Sequence, residues 1–267
     1  FPDLFAKKPS SLCVLAGSGN NAADALVLAR ILLFRQLVEA RDLCVICKAP
    51  LEKADKSPLS RALACLEAFS VRVTVWDGPE GLSARALREA SIIVDGLSGT
   101  GLGGPLRGPA CEIVRFCNAL PTGGGPPVGG GPPVGGGPPV GGGSNKPLFV
   151  SIDVPSGLRD SGAMDDTVLK TDITLAIEPG STALFTPHNR GLCGSILPAR
   201  AVFPQALILQ RTTDVLLSRT VDPMEETHKW GKIDCDAYKK TRGEVDILAG
   251  DRGTSGAALL ASRAAQA

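Results

Sequence analysis

Short apolar runs alternate with longer helical patterns through the first two hundred residues. Positions 12–16, 43–47, 71–75, 91–95, 148–152 and 172–177 read as strands, and 194–198 as a seventh. Several are apolar throughout rather than alternating, the pattern of parallel strands covered on both faces. Between them, 25–38, 59–69, 82–90 and 109–120 read as helices. The first is apolar nearly all round (Leu26, Val27, Leu28, Ile31, Leu32, Leu33, Phe34, Leu37), which predicts a helix packed on most sides. Strands alternating with helices predict an α/β fold: a three-layer, Rossmann-like parallel sheet with helices on both faces and right-handed crossovers.

Such sheets place their working residues just past the carboxyl ends of the strands. Three stretches qualify. The first is Gly17-Ser18-Gly19-Asn20-Asn21-Ala22-Ala23-Asp24, a glycine turn between strand and helix. Free amides at a helix N-terminus attract phosphate, and the polar side chains suggest a pocket that does more than hold one. The plainer alternative is that Asn20 caps the helix and Asp24 complements its dipole. The second is Asp95 with the loop Gly96 to Pro105, which formally contains G-x-G-x-x-G at 99–104. Pro105 follows at once and no helix opens there, so a loop closing over a ligand describes it better. The third is Asp153-Val154-Pro155-Ser156-Gly157-Leu158.

The unit Gly-Gly-Gly-Pro-Pro-Val repeats three times from 123 to 140. Glycine maximises chain entropy and proline removes donors, so this predicts a disordered insertion over 122–144. Loop length adds closure entropy only logarithmically, so the fold tolerates it. Patterning weakens after about 203, and 204–240 reads as a linker. A new strand-turn unit at 243–250 and a helix from Thr254 then predict the start of a second α/β domain over 241–267.

The chain has 267 residues, 28 basic and 27 acidic side chains and a formal net charge of +1, which gives nucleic-acid binding no support. No apolar stretch reaches the roughly 18 residues that span a bilayer, and no signal peptide is recognised. The eight cysteines lie mostly in apolar runs, and Cys44 and Cys47 fall inside a strand. Structural thiols in a reducing, cytoplasmic setting are expected, not a redox or zinc pair.

Asp24, Asp95 and Asp153 fall at or after the ends of separate strands. With Asn20, Asn21, Ser156 and the glycine loops they are expected to line one oxygen-rich pocket. Oxygen ligands without His or Cys suit a hard cation rather than zinc. A carboxyl group near like charges and partly out of water is shifted toward neutral pH, which suits proton transfer. There is no nucleophile elbow, Walker lysine or H-E-x-x-H. Proton-transfer or addition chemistry on a phosphate-bearing ligand fits better than covalent hydrolysis.

The loop Gly17 to Asp24 resembles the glycine–Asn–Asn–Gly–Gly–Asp loop of the NAD(P)H-hydrate epimerases. Val94 to Leu102 and Ile152 to Leu158 are similar to that family's second and third loops, in the family's order. The resemblance covers about Ser11 to Phe203, so that 1–203 reads as an epimerase-like domain. The tail, 241–267, resembles the opening of the ADP- or ATP-dependent dehydratase, a ribokinase-like domain that would here be incomplete. The resemblance implies interconversion of the R and S forms of hydrated NADH or NADPH (NADHX, NADPHX), with dehydratase activity confined to a longer chain. It implies ligand contacts from Asn20, Asn21, Ala22, Ala23 and Asp24, and from Gly99, Thr100, Gly101, Leu102, Gly103, Gly104 and Pro105. It also implies Asp153 as ligand contact and acid/base group, a potassium ion on Asn21, Asp95 and Ser156, and a homodimer.

The sequence departs from the family in places. Ala22, Ala23 and Ala25 stand where glycine is usual, Arg159 where an acid is common, and Ser98 where an aromatic is common. In helical geometry each alanine is favoured by roughly 0.8–1 kcal/mol; at positive φ each costs roughly 1–2 kcal/mol. In either case their methyls are expected to crowd the ligand. Two alternatives follow: a non-catalytic binding or scaffold module on the same fold, and a Rossmann oxidoreductase using Gly17, Gly19 and Ala22. Against the latter, the second strand ends at Cys47-Lys48 rather than at a ribose-binding acid.

Overall fold

The elements follow one another as strand, helix, strand over most of the chain. In the computed structural model they are β1 (Leu12–Ala16), α1 (Asn20–Phe34), β2 (Leu43–Cys47), α2 (Pro58–Ala68), β3 (Arg72–Val75), α3 (Leu82–Glu89), β4 (Ile92–Gly96) and α4 (Gly108–Ala119). There follow β5 (Leu148–Ile152), β6 (Ile173–Ile177), α5 (Pro187–Arg190), β7 (Ser195–Ala199) and α6 (Gly256–Gln266). The structure describes residues 9, 11–51, 57–120, 147–159, 167–199, 203–204, 206–207, 246–250 and 255–266. The chain forms two compact units, 1–211 and 212–267.

The seven strands form one sheet in the order β3-β2-β1-β4-β5-β6-β7, every pair parallel. This is the expected fold class. The chain winds outward one way from β1 to β3, then crosses to β4 on the other side of β1. The order therefore reverses between β1 and β4, where parallel α/β sheets open a crevice at their carboxyl ends. Leu15 lies beside Asp95, and Asp95 beside Ser151.

Successive strand residues point to opposite faces, and the core divides accordingly. Val14, Ala16, Val45 and Cys47 pack with Leu26 of α1 and Leu63 of α2. Cys13, Leu15, Cys44 and Ile46 pack with Leu87 of α3 and Ile113 of α4. Cys44 and Cys47 thus lie in different layers, which rules out a C-x-x-C redox or metal pair here. The seven described cysteines are all free thiols.

Helix α1 departs from expectation. It begins at Asn20 and ends at Phe34, where the spacing predicted 25–38. The stop is a Schellman turn: Gln36 takes φ 57, its N–H bonds Leu33 O, and Leu37 N–H bonds Leu32 O, each at 2.9 Å. The expected packing on most sides also fails, because Ile31 is 42% and Phe34 81% exposed. The buried stripe is built largely from Ala22, Ala23, Ala25 and Ala29 with Leu26, Leu32 and Leu33.

In the second unit α6 matches the expected helix, but residues 246–250 are not a strand. A strand needs a neighbour, and no strand occurs among the described residues of that unit. The Gly/Pro repeat lies outside the described residues, as does the linker except for 204, 206 and 207. Among the described residues no helix is long and apolar enough to cross a membrane.

Candidate active site

Gly17 ends β1 at a point of close approach. Its N–H bonds Gly96 O at 3.1 Å, and a Cβ placed on it would fall 2.0 Å from Leu97 O. Only glycine lets the turn after β1 lie against the loop after β4. A Cβ on Gly96 would likewise meet the Ala25 methyl at 2.6 Å, so α1 sits directly over the end of β4. These two contacts bring Asn21 to the second loop.

Gly19, not Asn20, is the N-cap residue of α1; no side chain caps it and no acid lies in its first turn. The plainer reading of Asn20 and Asp24 as cap and dipole partner therefore fails. Ser18, Gly19, Asn20 and Asp24 are exposed around the turn. Ala22 and Ala23 face the other way: their side chains are buried in the core and both N–H groups bond Gly19 O. Ala22, Ala23 and Ala25 all lie in helix at negative φ, so the helix-favouring case holds. The expectation that their methyls crowd a ligand is overturned, because those methyls fill the core.

Asp95 is fully buried at the end of β4. Its Oδ1 accepts from Ser156 Oγ at 2.6 Å and Leu97 N at 3.2 Å, and its Oδ2 from Ser156 N at 2.8 Å. Burial pushes the carboxyl group up to about 6, while the bonds from Ser156 and Leu97 pull it back. Ser156, also fully buried, accepts from Ser98 N through its Oγ at 2.9 Å. Asn21 donates Nδ2 to Ser98 O at 2.8 Å, and its buried Oδ1 has no protein partner. Asn21 of α1, Asp95 at the end of β4 and Ser156 in the turn after β5 are thereby joined into one cluster through Ser98.

The three acids are not equivalent. Asp24 is exposed on α1, and partial desolvation raises its carboxyl group. Asp153 is half-buried just past β5, while Asp95 is sealed beneath Ser156. Among the described residues no three His, Cys, Asp or Glu side chains gather to hold a metal. Burial, not repulsion between carboxylates, raises the carboxyl groups of Asp24 and Asp95. Asp95 ends β4 and Asp153 follows its neighbour β5, whereas Asp24 lies on α1, so the three do not form a carboxylate cluster.

Asp153 has the least usual backbone of the three. Its φ is 64, its N–H bonds Leu175 O at 2.8 Å, and Val154 N–H closes a three-residue turn onto Ile152 O at 2.8 Å. A non-glycine residue in this region costs of order 1–3 kcal/mol, and such strain collects at functional sites. Ser156 and Gly157 follow in a turn where Gly157 takes φ 95 and leaves no room for a Cβ, with Thr167 O only 2.3 Å away.

In the second loop Thr100, Gly101, Gly103 and Pro105 are exposed, and Gly99, Leu102 and Gly104 are half-buried. Leu102 packs against the layer formed by α3 and α4. A Cβ on Gly99 would lie 3.2 Å from Asn21 Cβ, so the first two loops touch there. The linking role of Ser98 has no sequence signal, because its partners lie 58, 59 and 77 positions away. The Pro-Ser-Gly triplet at 155–157 was a legible sign of the third turn.

The family profile described as YjeF-related protein N-terminus matches residues 3–179. A bifunctional NAD(P)H-hydrate repair enzyme of Coxiella burnetii is 26% identical, over 99% of this chain and 47% of that protein. A bifunctional NAD(P)H-hydrate repair enzyme of Leishmania braziliensis is 27% identical, over 99% of this chain and 42% of that one. An NAD(P)H-hydrate epimerase of Limosilactobacillus fermentum is 24% identical, over 71% of this chain and 74% of its own. The chain thus spans about half the length of the bifunctional relatives. The crystal structure of yeast ynu0 matches with TM-score 0.47 and 23% identity, covering 64% of this chain and 59% of that one.

Proposed function

This chain belongs to the family of the YjeF-related protein N-terminus, and from that premise we propose that it interconverts the R and S epimers of hydrated NADH and NADPH. The observation that carries this reading is Asp153, an acid held at φ 64 just past the carboxyl end of β5, the strand beside β4 and one removed from the β1–β4 crevice. A single carboxyl group can give a proton as the stereocentre is broken and take one back as it is remade within the same turnover, with no net proton consumed. The exposed turn Ser18–Asn20 at the start of α1 supplies the amide-rich end of a helix for the ligand's phosphates. The loop from Gly99 to Pro105 closes the other side.

Asn21, Asp95 and Ser156 suit a potassium ion. Asn21 Oδ1 is buried and unpartnered. Asp95 Oδ2 accepts one hydrogen bond, and Ser156 Oγ accepts one while donating to Asp95. Each oxygen so retains a lone pair. The donors are hard oxygens carrying one carboxylate, a poor zinc set but a fitting one for a singly charged cation. Such an ion supplies positive charge beside Asp95, which burial otherwise disfavours in its ionised form.

The placement of Ala22, Ala23 and Ala25 in the core removes the main ground for a non-catalytic module. The test is to add purified protein to a single epimer of NADPHX and follow the other chromatographically. Acceleration over buffer supports the epimerase. Binding without acceleration would overturn it.

A further inference from the structure

Ser98 makes hydrogen bonds to both of the other loops. Its N–H donates to Ser156 Oγ at 2.9 Å, and its carbonyl accepts from Asn21 Nδ2 at 2.8 Å and from Ser156 Oγ at 3.3 Å. Any residue could supply those backbone groups. Its hydroxyl adds something of its own by accepting the Gly157 N–H at 3.0 Å.

That fourth bond ties the second loop to a rigid frame. Gly157 sits at φ 95 with no room for a side chain. The turn around it is closed by Leu158 N–H to Pro155 O at 3.0 Å and Leu169 N–H to Ser156 O at 2.9 Å. With its side chain anchored there, Ser98 presents its carbonyl at a fixed place. A carbonyl can only accept, so it selects the Nδ2 end of the Asn21 amide. The Oδ1 end is then left buried with no protein partner.

We propose that Ser98 is a positioning residue for the cation: by anchoring its hydroxyl on Gly157 N–H, it holds its carbonyl so that Asn21 turns Oδ1 toward a bound monovalent ion. This rests on the potassium reading above. Ser98 itself need not touch the ion. Groups that orient a ligand in this way affect metal affinity by roughly 10–100-fold when removed.

The test is the potassium concentration that gives half of the potassium-dependent rise in melting temperature, at constant ionic strength with N-methylglucamine replacing potassium. The proteins are the unsubstituted chain, Ser98→Ala and Ser98→Thr. Ser98→Ala should need about 10-fold more potassium, and Ser98→Thr, which keeps the hydroxyl, should stay near the unsubstituted value. Saturating potassium should restore kcat to Ser98→Ala. A residue that only braces the fold would lower the melting temperature equally at every potassium concentration, and that result overturns the proposal. If Ser98→Ala does not fold, amide exchange at Gly157 of the unsubstituted protein decides: slowing by potassium supports the proposal, and no change overturns it. If the unsubstituted protein epimerises NADPHX but ignores potassium in both measurements, the cation reading falls and the role of Ser98 with it. A potassium response kept in full by Ser98→Ala sinks only the latter.

Discussion

Ser156 grips the Asp95 carboxylate twice, through Oγ at 2.6 Å and through its N–H at 2.8 Å, across 61 positions of sequence. Both residues are fully buried. At that depth the double contact, with the Leu97 N–H on Asp95 and the Ser98 N–H on Ser156 Oγ, fixes where the two segments lie. Replacing Ser156 by Ala leaves Asp95 with the backbone bonds alone. A buried acceptor stripped of a partner costs about 1–3 kcal/mol. Urea unfolding should show a loss in that range, and a loss under about 0.5 kcal/mol would mean that the pair is not what joins the loops.

The buried carboxyl group of Asp95 also sets a pH dependence. It stands at about 6 in the fold against an ordinary 3.8, so the folded state holds the proton more tightly than the unfolded chain. Its stabilising contribution is full below about pH 4 and is lost as pH rises through about 6. The difference amounts to roughly 3 kcal/mol. In potassium-free buffer, Asp95→Asn should flatten the fall in stability between pH 4 and 7, and potassium should flatten it in the unsubstituted protein. An identical pH profile for Asp95→Asn would contradict this.

Two glycines of one turn should behave in opposite ways. A Cβ on Gly17 meets Leu97 O at 2.0 Å, whereas one on Gly19 meets nothing within 4 Å. Gly17→Ala should therefore lower stability by about 1–3 kcal/mol or more, and Gly19→Ala by well under about 1 kcal/mol. Equal urea midpoints for the two variants would show that the turn is not pressed against the second loop.

Asp153 separates a backbone effect from a chemical one. At φ 64, Asn is tolerated almost as well as Asp, but Ala costs about 1–2 kcal/mol. Asp153→Asn should keep its melting temperature while Asp153→Ala loses several degrees. If Asp153→Ala proved as stable as Asp153→Asn, the strained turn would be refuted.

Much of this fold was legible in the chain. Strands such as β1 and β2 coincide with the apolar runs, because a strand buried on both faces leaves an uninterrupted hydrophobic signature. The C-terminal end of α1 was hidden, since its stop is a Schellman turn at Gln36 and no glycine or proline marks it. Its N-terminal start was hidden by Asn20 and Asn21, residues that commonly cap helices but here lie within one. Within the site, the motifs located Asn21, Asp95 and Ser156, and the structure joins them. The sequence suggested that three acids line one pocket because strand ends are visible in it and burial is not. Only the packing reveals that Asp95 is sealed while Asp24 faces solvent. The alanines at 22, 23 and 25 misled for the same reason: a helix's direction is periodic, but which side meets the sheet depends on Gly96 opposite.

The most direct measurement of the central claim is the initial rate of NADPHX epimer interconversion by Asp153→Asn, with hydrate binding measured on the same preparation. General acid–base catalysis contributes about 10²–10⁴-fold, so the rate should fall at least 100-fold while the folded variant still binds the hydrate. An Asp153→Asn protein that interconverts the epimers as fast as the unsubstituted chain would contradict the account.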